Sequence, residues 1–216
     1  DLFRDLNLEQ NLIENLESLG YKTLTPIQEN SLKYSLEKKD IIARAKTGSG
    51  KTLAFCLPII NNLDKKKYRV QSLILAPTRE LATQIAQTIR EVLRSTPNIK
   101  VLTLCGGVPY KPQVVSLSHE AHIVVGTAGR VLKHINEGNL KLENINTFVL
   151  DEADKMLDMG FFDDISKVSS LLPKQRQTLL FSATFSNEIK NLALEFLDNP
   201  VNIEVEDEEQ NIIKQV

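Results

Sequence analysis

The sequence has only two cysteines, which argues against a disulfide framework. Cys56 and Cys105 lie far apart among apolar neighbours (AFCLP and LTLCGG), with no CxxC spacing. Both are expected to be buried, reduced thiols, because unpaired cysteine packs as a small hydrophobe. No apolar run reaches the roughly 18–20 residues that a membrane helix needs. The opening DLFRDLNLEQ also lacks the basic-then-apolar order of a secretion signal. The chain therefore reads as soluble and cytoplasmic, with no membrane partner. There is no basic excess either, since the formal charge is -2. Five acids (Glu204, Glu206, Asp207, Glu208, Glu209) against Lys214 make 204–216 an acidic, solvated stretch and leave 1–203 close to neutral. A broadly basic nucleic-acid binder is excluded, so any such affinity must come from a local patch or from backbone donors. His119 and His122 form an HxxH, but neither they nor His134 has a nearby Cys or third ligand, so all three read as surface or core residues. There is no internal repeat, low-complexity segment or Pro/Gly linker before the tail.

What is present is one domain's worth of chain: 216 residues, 42% hydrophobic and 25% charged. Short runs rich in Val, Ile and Leu alternate with segments of helical period, the pattern of an α/β domain with a buried, mainly parallel sheet flanked by helices. Strands are expected at 40–45, 72–76, 101–105, 122–126, 147–151, 178–182 and 201–205. Helices are expected at 51–61, 79–94, 129–137, 161–172 and 187–197. Two more precede the first strand. Asn7-Leu8-Glu9-Gln10 fits a capping box leading into Leu12, Ile13, Leu16 and Leu19, with Gly20 as the stop. The next helix starts with Thr25 as N-cap and Pro26 at its first position.

Ala45-Lys46-Thr47-Gly48-Ser49-Gly50-Lys51-Thr52 follows an apolar strand run and opens a helix, the context a phosphate-binding loop requires. Its small residues let the backbone curl so that N–H groups point inward, and the helix N-terminus adds positive potential. Lys51 is expected to neutralise the β and γ phosphates and Thr52 to offer its hydroxyl to Mg²⁺. Ala45 stands where the general pattern has Gly; its small side chain keeps the loop geometry feasible. Val149-Leu150-Asp151-Glu152 ends another apolar strand with two carboxylates, and parallel strands bring their carboxyl ends to one ligand edge. Asp151 can then hold Mg²⁺ through its water shell, while Glu152 orients and deprotonates the attacking water.

Asp151-Glu152-Ala153-Asp154 resembles the naming motif of the DEAD-box RNA helicases, and other motifs of that family follow in its order. Gly20-Tyr21 through Thr25-Pro26-Ile27-Gln28 resembles the Q motif, with Phe3 near the upstream aromatic position. Pro77-Thr78-Arg79-Glu80-Leu81-Ala82 is similar to motif Ia. Gly106-Gly107, Thr127-Ala128-Gly129-Arg130 and Ser182-Ala183-Thr184 are similar to motifs GG, Ib and III. The resemblance implies a RecA-like P-loop domain over 1–205, with the Q region in 1–30, and an acidic tail or inter-lobe linker at 206–216. It implies that Tyr21 stacks on adenine and that Gln28 reads its edge, although Thr25-x-x-Gln28 is also a capping box. Pro77, Thr78, Arg79, Gly106, Gly107, Thr127, Gly129 and Arg130 would grip RNA, single-stranded or duplex, mostly through its backbone. Thr184 or Ser182 would bond Asp154 and connect the nucleotide to the RNA side.

Ala128 stands where the family usually has Pro, Leu24 where Pro usually precedes Thr-Pro-Ile-Gln, and Lys46 where Gln is commoner. AKTGSGKT, LTLCGG and DEADKMLDMGF look most like the bacterial DbpA type, which acts on large-subunit ribosomal RNA and so points to ribosome assembly. The sequence shows no second RecA-like lobe and none of the arginine-finger motif such a lobe carries, so fast hydrolysis is not expected of these residues alone. Besides an ATP-dependent RNA helicase, the residues leave open an ATP-gated RNA clamp acting as an assembly platform. A DNA-directed or metabolic P-loop ATPase fits the Q, GG and Ib matches less well.

Overall fold

A computed structural model describes residues 1–46 and 50–205. Thr47, Gly48 and Ser49 of the phosphate loop and the tail at 206–216 lie outside the described residues. The strands are β1 (Ile41–Arg44), β2 (Ser72–Leu75), β3 (Val101–Leu104), β4 (Ile123–Gly126), β5 (Thr147–Leu150), β6 (Gln177–Ser182) and β7 (Val201–Glu204). They form one seven-stranded sheet in the order β3-β4-β2-β5-β6-β1-β7. Every neighbouring pair is parallel. Parallel pairing requires a crossover between strands, and the helices supply it: α3 (Lys51–Asn61), α4 (Arg79–Val92), α5 (Tyr110–Ser118), α6 (Ala128–Asn136), α7 (Ala153–Asp158), α8 (Phe162–Leu171) and α9 (Asn187–Phe196). Ahead of β1 stand α1 (Gln10–Ser18) and α2 (Pro26–Ser35).

Both faces of the sheet are covered, which is why the strands read as continuous apolar runs. Successive side chains still go to opposite faces. Ile74, Val125, Val149, Leu179 and Phe181 pack with residues of α1 to α4, whereas Leu73, Leu75, Val124, Phe148 and Leu180 pack with residues of α6 to α9. Both cysteines are free and buried, and burial pushes the Cys56 thiol up to about 12.

The strand and long-helix expectations match to within a residue or two. The start of α1 does not. Its N-cap is Glu9, with no side-chain cap bond, so the Asn7 capping box is not formed. The stop is as read: Gly20 has φ +93. Gly20 N donates to Glu17 O at 3.0 Å and Tyr21 N to Leu16 O at 2.9 Å, the paired bonds of a Schellman ending. The start of α2 also forms as expected, with both bonds of the Thr25–Gln28 capping box present. Helices α5 and α7 were not anticipated.

Candidate functional site

The sheet order sorts the motif residues into two adjoining groups along the carboxyl edge. The ends of β1, β5 and β6 carry the phosphate loop, Asp151–Glu152 and Ser182–Thr184, while the ends of β2, β3 and β4 carry Pro77–Arg79, Gly106–Gly107 and Thr127–Arg130. β2 and β5, hydrogen-bonded neighbours, join the two.

In the first group, Ala45 leaves β1 buried, its N–H bonded to Ser182 O at 3.0 Å, and Lys46 is exposed. Gly50, at φ +82, caps α3, which begins with Lys51 and half-buried Thr52. A Cβ on Gly50 would lie 2.9 Å from Gln28 Nε2 and would displace that amide, and the positive φ favours glycine there in any case. Gln28 is 2% exposed and uses both ends of its amide. Oε1 accepts from Thr25 N at 2.9 Å, and Nε2 donates to Gly50 O at 3.0 Å. The cap therefore also ties the Q region to the phosphate loop. Tyr21 is half-buried and meets Phe3 edge-on, with centroids 6.4 Å apart. Phe3, read as the upstream aromatic, is 1% exposed and belongs to the core, so its ring serves packing.

Lys51 Nζ donates to Asp151 Oδ1 at 2.6 Å, with both side chains buried. Glu152 Oε1 lies 3.9 Å from the same ammonium and 3.3 Å from Lys155 Nζ. Lys155 was not singled out from the sequence, although its i+3 spacing from Glu152 on a helix start is the available signal. Burial pushes the Asp151 carboxyl above the usual range, and the adjacent Lys51 opposes that shift. Asp151 Oδ1 also accepts from Glu152 N at 2.9 Å. Its Oδ2 is buried without a hydrogen-bond partner among the described residues. Glu152 sits in the left-handed region at φ +52, which turns the chain sharply between the two carboxylates. Beyond it, Thr184 Oγ1 donates to Asp154 Oδ2 at 3.3 Å. Of the two hydroxyls considered for that link, Thr184 makes it, while Ser182 Oγ is buried and unbonded among the described residues.

In the second group, Pro77 is buried and Thr78 caps α4, its Oγ1 accepting from Leu81 N at 3.2 Å. Arg79 follows as the first helical residue, with its side chain about half exposed. Thr127 Oγ1 accepts from Gly106 N at 3.0 Å, so it pins the Gly106–Gly107 loop instead of capping α6. Gly107 has φ +80. Ala128 takes the first position of α6 and is fully buried. That position tolerates Pro because its N–H has no partner within the helix, so Ala can stand there without changing the helix start. Gly129 is exposed and Arg130 half-buried. The three histidines do not converge. His122 Nδ1 accepts from Lys100 N at 3.1 Å, His134 is buried against Gln113 and Tyr110, and His119 is exposed.

Known proteins place this arrangement. Residues 25–192 match the family model described as DEAD/DEAH box helicase. The chain is 47% identical to the ATP-dependent RNA helicase DbpA of Escherichia coli strain K12, over 90% of this chain and 42% of that protein. It is 41% identical to the DEAD-box ATP-dependent RNA helicase CshA of Geobacillus kaustophilus, over 97% of this chain and 45% of the relative. The DbpA likeness thus stands beside a CshA likeness of similar strength. A crystal structure of a DEAD box protein from the hyperthermophile Methanococcus jannaschii superposes with a TM-score of 0.90 at 41% identity, covering 95% of this chain and 56% of that one. The chain spans less than half the length of these curated relatives. It belongs to the DEAD/DEAH box helicase family, and its seven-stranded parallel sheet is the N-terminal RecA-like domain of that family.

Proposed function

We propose that this domain supplies the ATP- and RNA-binding lobe of an ATP-dependent RNA helicase, which closes with a second RecA-like lobe around ATP and one RNA strand. The observation that carries the reading is the buried Lys51–Asp151–Glu152 constellation. Two carboxylates and an ammonium converge where a glycine-capped helix begins, on the same sheet edge as a second group at which α4 and α6 begin. Lys51 and Asp151 neutralise one another at 2.6 Å, an arrangement that lets each meet a ligand charge by letting go of the other. Glu152 would accept a proton from the attacking water.

The residues fit Mg²⁺. Asp151 Oδ2 is a buried carboxylate oxygen with no partner among the described residues, and with the Thr52 hydroxyl it gives the hard oxygen donors this ion prefers. Bound there, Mg²⁺ would offset the charge that develops on the phosphoryl oxygens. On the RNA side, a few arginines with glycine and helix-start N–H groups contact phosphates without a broadly basic surface and without reading sequence. That suits the near-neutral charge.

The deciding experiment compares ATP turnover, with and without RNA, in the full-length protein and its Glu152→Gln variant. Turnover should fall by at least about a hundredfold, the lower range for a positioned base. A variant as fast as the parent would overturn the mechanism. The 216 residues alone should turn over ATP slowly and respond little to RNA, because the proposed second lobe would supply the remaining charge stabilisation.

A further inference from the structure

The ends of β3 and β4 are joined by a side chain outside all of the motifs. Gln113, in the second turn of α5, is 7% exposed. Its Nε2 donates at 3.1 Å to the carbonyl of Cys105, the residue before Gly106. Its Oε1 accepts from Arg130 Nη1 at 3.1 Å and faces His134 Nε2 at 2.8 Å. His134 is fully buried and stacks on Tyr110 with centroids 4.4 Å apart. Asn139 Nδ2 lies 3.3 Å from His134 Nδ1 and donates to the Tyr110 hydroxyl at 2.8 Å. That amide nitrogen can only donate, so His134 Nδ1 accepts and the imidazole proton sits on Nε2, directed at Gln113. With its oxygen held by two donors and its nitrogen by a carbonyl, the Gln113 amide has one orientation.

Arg130 Nη1 also donates to Val108 O at 2.7 Å. Among the described residues, its Nε and Nη2 make no hydrogen bond. Those two nitrogens form the edge through which a guanidinium grips a phosphate with two parallel bonds. A tethered arginine has already lost the rotamer freedom that a free one loses on binding.

We propose that Gln113, oriented by His134, is a positioning residue for nucleic-acid binding. It holds Arg130 by one nitrogen so that the two-donor edge is presented to an RNA phosphate, while the bond from its own amide nitrogen to the Cys105 carbonyl keeps that amide in place. The proposal rests on the reading of this edge as the RNA face.

The test uses the full-length protein with a non-hydrolysable ATP analogue, titrated into labelled single-stranded RNA at several salt concentrations. Arg130→Ala should weaken binding about tenfold and reduce the slope of log K against log salt by about 0.7, the loss of one phosphate contact to a single strand. Gln113→Leu should weaken binding severalfold and lower the slope in the same direction. The double variant should bind no more weakly than Arg130→Ala alone. His134→Phe keeps a ring on Tyr110 but withdraws the bond to Gln113; it should shift affinity the same way, and it decides the matter should Gln113→Leu not fold. Parent-like binding by the Gln113 and His134 variants, with Arg130→Ala impaired, would overturn the proposal. Additive losses in the double variant would do so too, because Gln113 would then act other than through Arg130. Parent-like affinity and slope in Arg130→Ala would instead remove the RNA-face reading, and the positioning role with it.

Discussion

Replacing Lys51 with methionine should destabilise the nucleotide-free domain by about 3–5 kcal/mol, the cost of breaking a buried ion pair from one side. The structure puts Lys51 in that class: it is 5% exposed, its ammonium lies 2.6 Å from Asp151 Oδ1, and Asp151 is fully buried. Methionine fills similar volume, so little of the loss comes from a cavity. What remains is a buried carboxylate held, among the described residues, by one other hydrogen bond, from Glu152 N. Urea unfolding of the 216-residue chain without Mg²⁺ or nucleotide measures the effect. With a urea m-value of about 2–3 kcal/mol/M for a domain of this size, the midpoint should fall by about 1–2.5 M. Adding Asp151→Asn to Lys51→Met should restore at least about 2 kcal/mol, since the amide carries no charge to strand. A single variant within about 1 kcal/mol of the parent, or a double variant as unstable as the sum of its parts, would show that the pair is effectively solvated and that the burial argument fails.

Gly126→Ala should cost about 3 kcal/mol, because the new Cβ would sit 2.4 Å from the Leu104 carbonyl oxygen and 2.6 Å from Val131 Cγ2, and the neighbouring strand's backbone cannot rotate away. At about 2–4 °C per kcal/mol, calorimetry should show Tm lower by about 6–12 °C; a shift under about 2 °C would mean that β3 and β4 can separate at no cost. Burial holds His122 below the usual histidine range, so its contribution to stability is complete above about pH 6.5 and is lost as pH falls toward the lower folded value. Between pH 7 and 5, His122→Asn should lose stability less steeply than the parent, by up to about 1.4 kcal/mol per pH unit. Parallel urea-midpoint profiles would refute the assignment.

The sheet, and the gathering of Lys51, Asp151 and Glu152 at its carboxyl edge, were legible because they rest on local signals. A strand covered on both faces must be apolar throughout, as Leu73–Leu75 and Val149–Leu150 are, and a phosphate loop must have small residues between strand and helix. Helix α5 escaped because YKPQVVSLS carries a proline in its first turn, two adjacent β-branched residues and no apolar stripe. Helix α7 spans less than two turns, too short for a period to register. At α1, Asn7 had the right side chain but the chain does not become helical until Gln10, where packing of Leu12 and Leu16 sets the start. The Gln113 cluster has no sequence signature, since its members meet only after β3, α5, β4 and α6 have packed. Strand order is likewise a tertiary fact, and it is what divides the motif residues into two adjoining groups along the carboxyl edge.

The left-handed backbone at Glu152 carries a thermodynamic implication of its own. A side-chain-bearing residue in that conformation costs about 1–2 kcal/mol relative to its preferred basin, a cost that glycine largely avoids. For folding alone, glycine would be the better occupant of the turn between β5 and α7. With glutamate there, the domain holds a small reserve of conformational strain beside the buried Lys51–Asp151 pair, and its fold is slightly less stable than the same backbone allows.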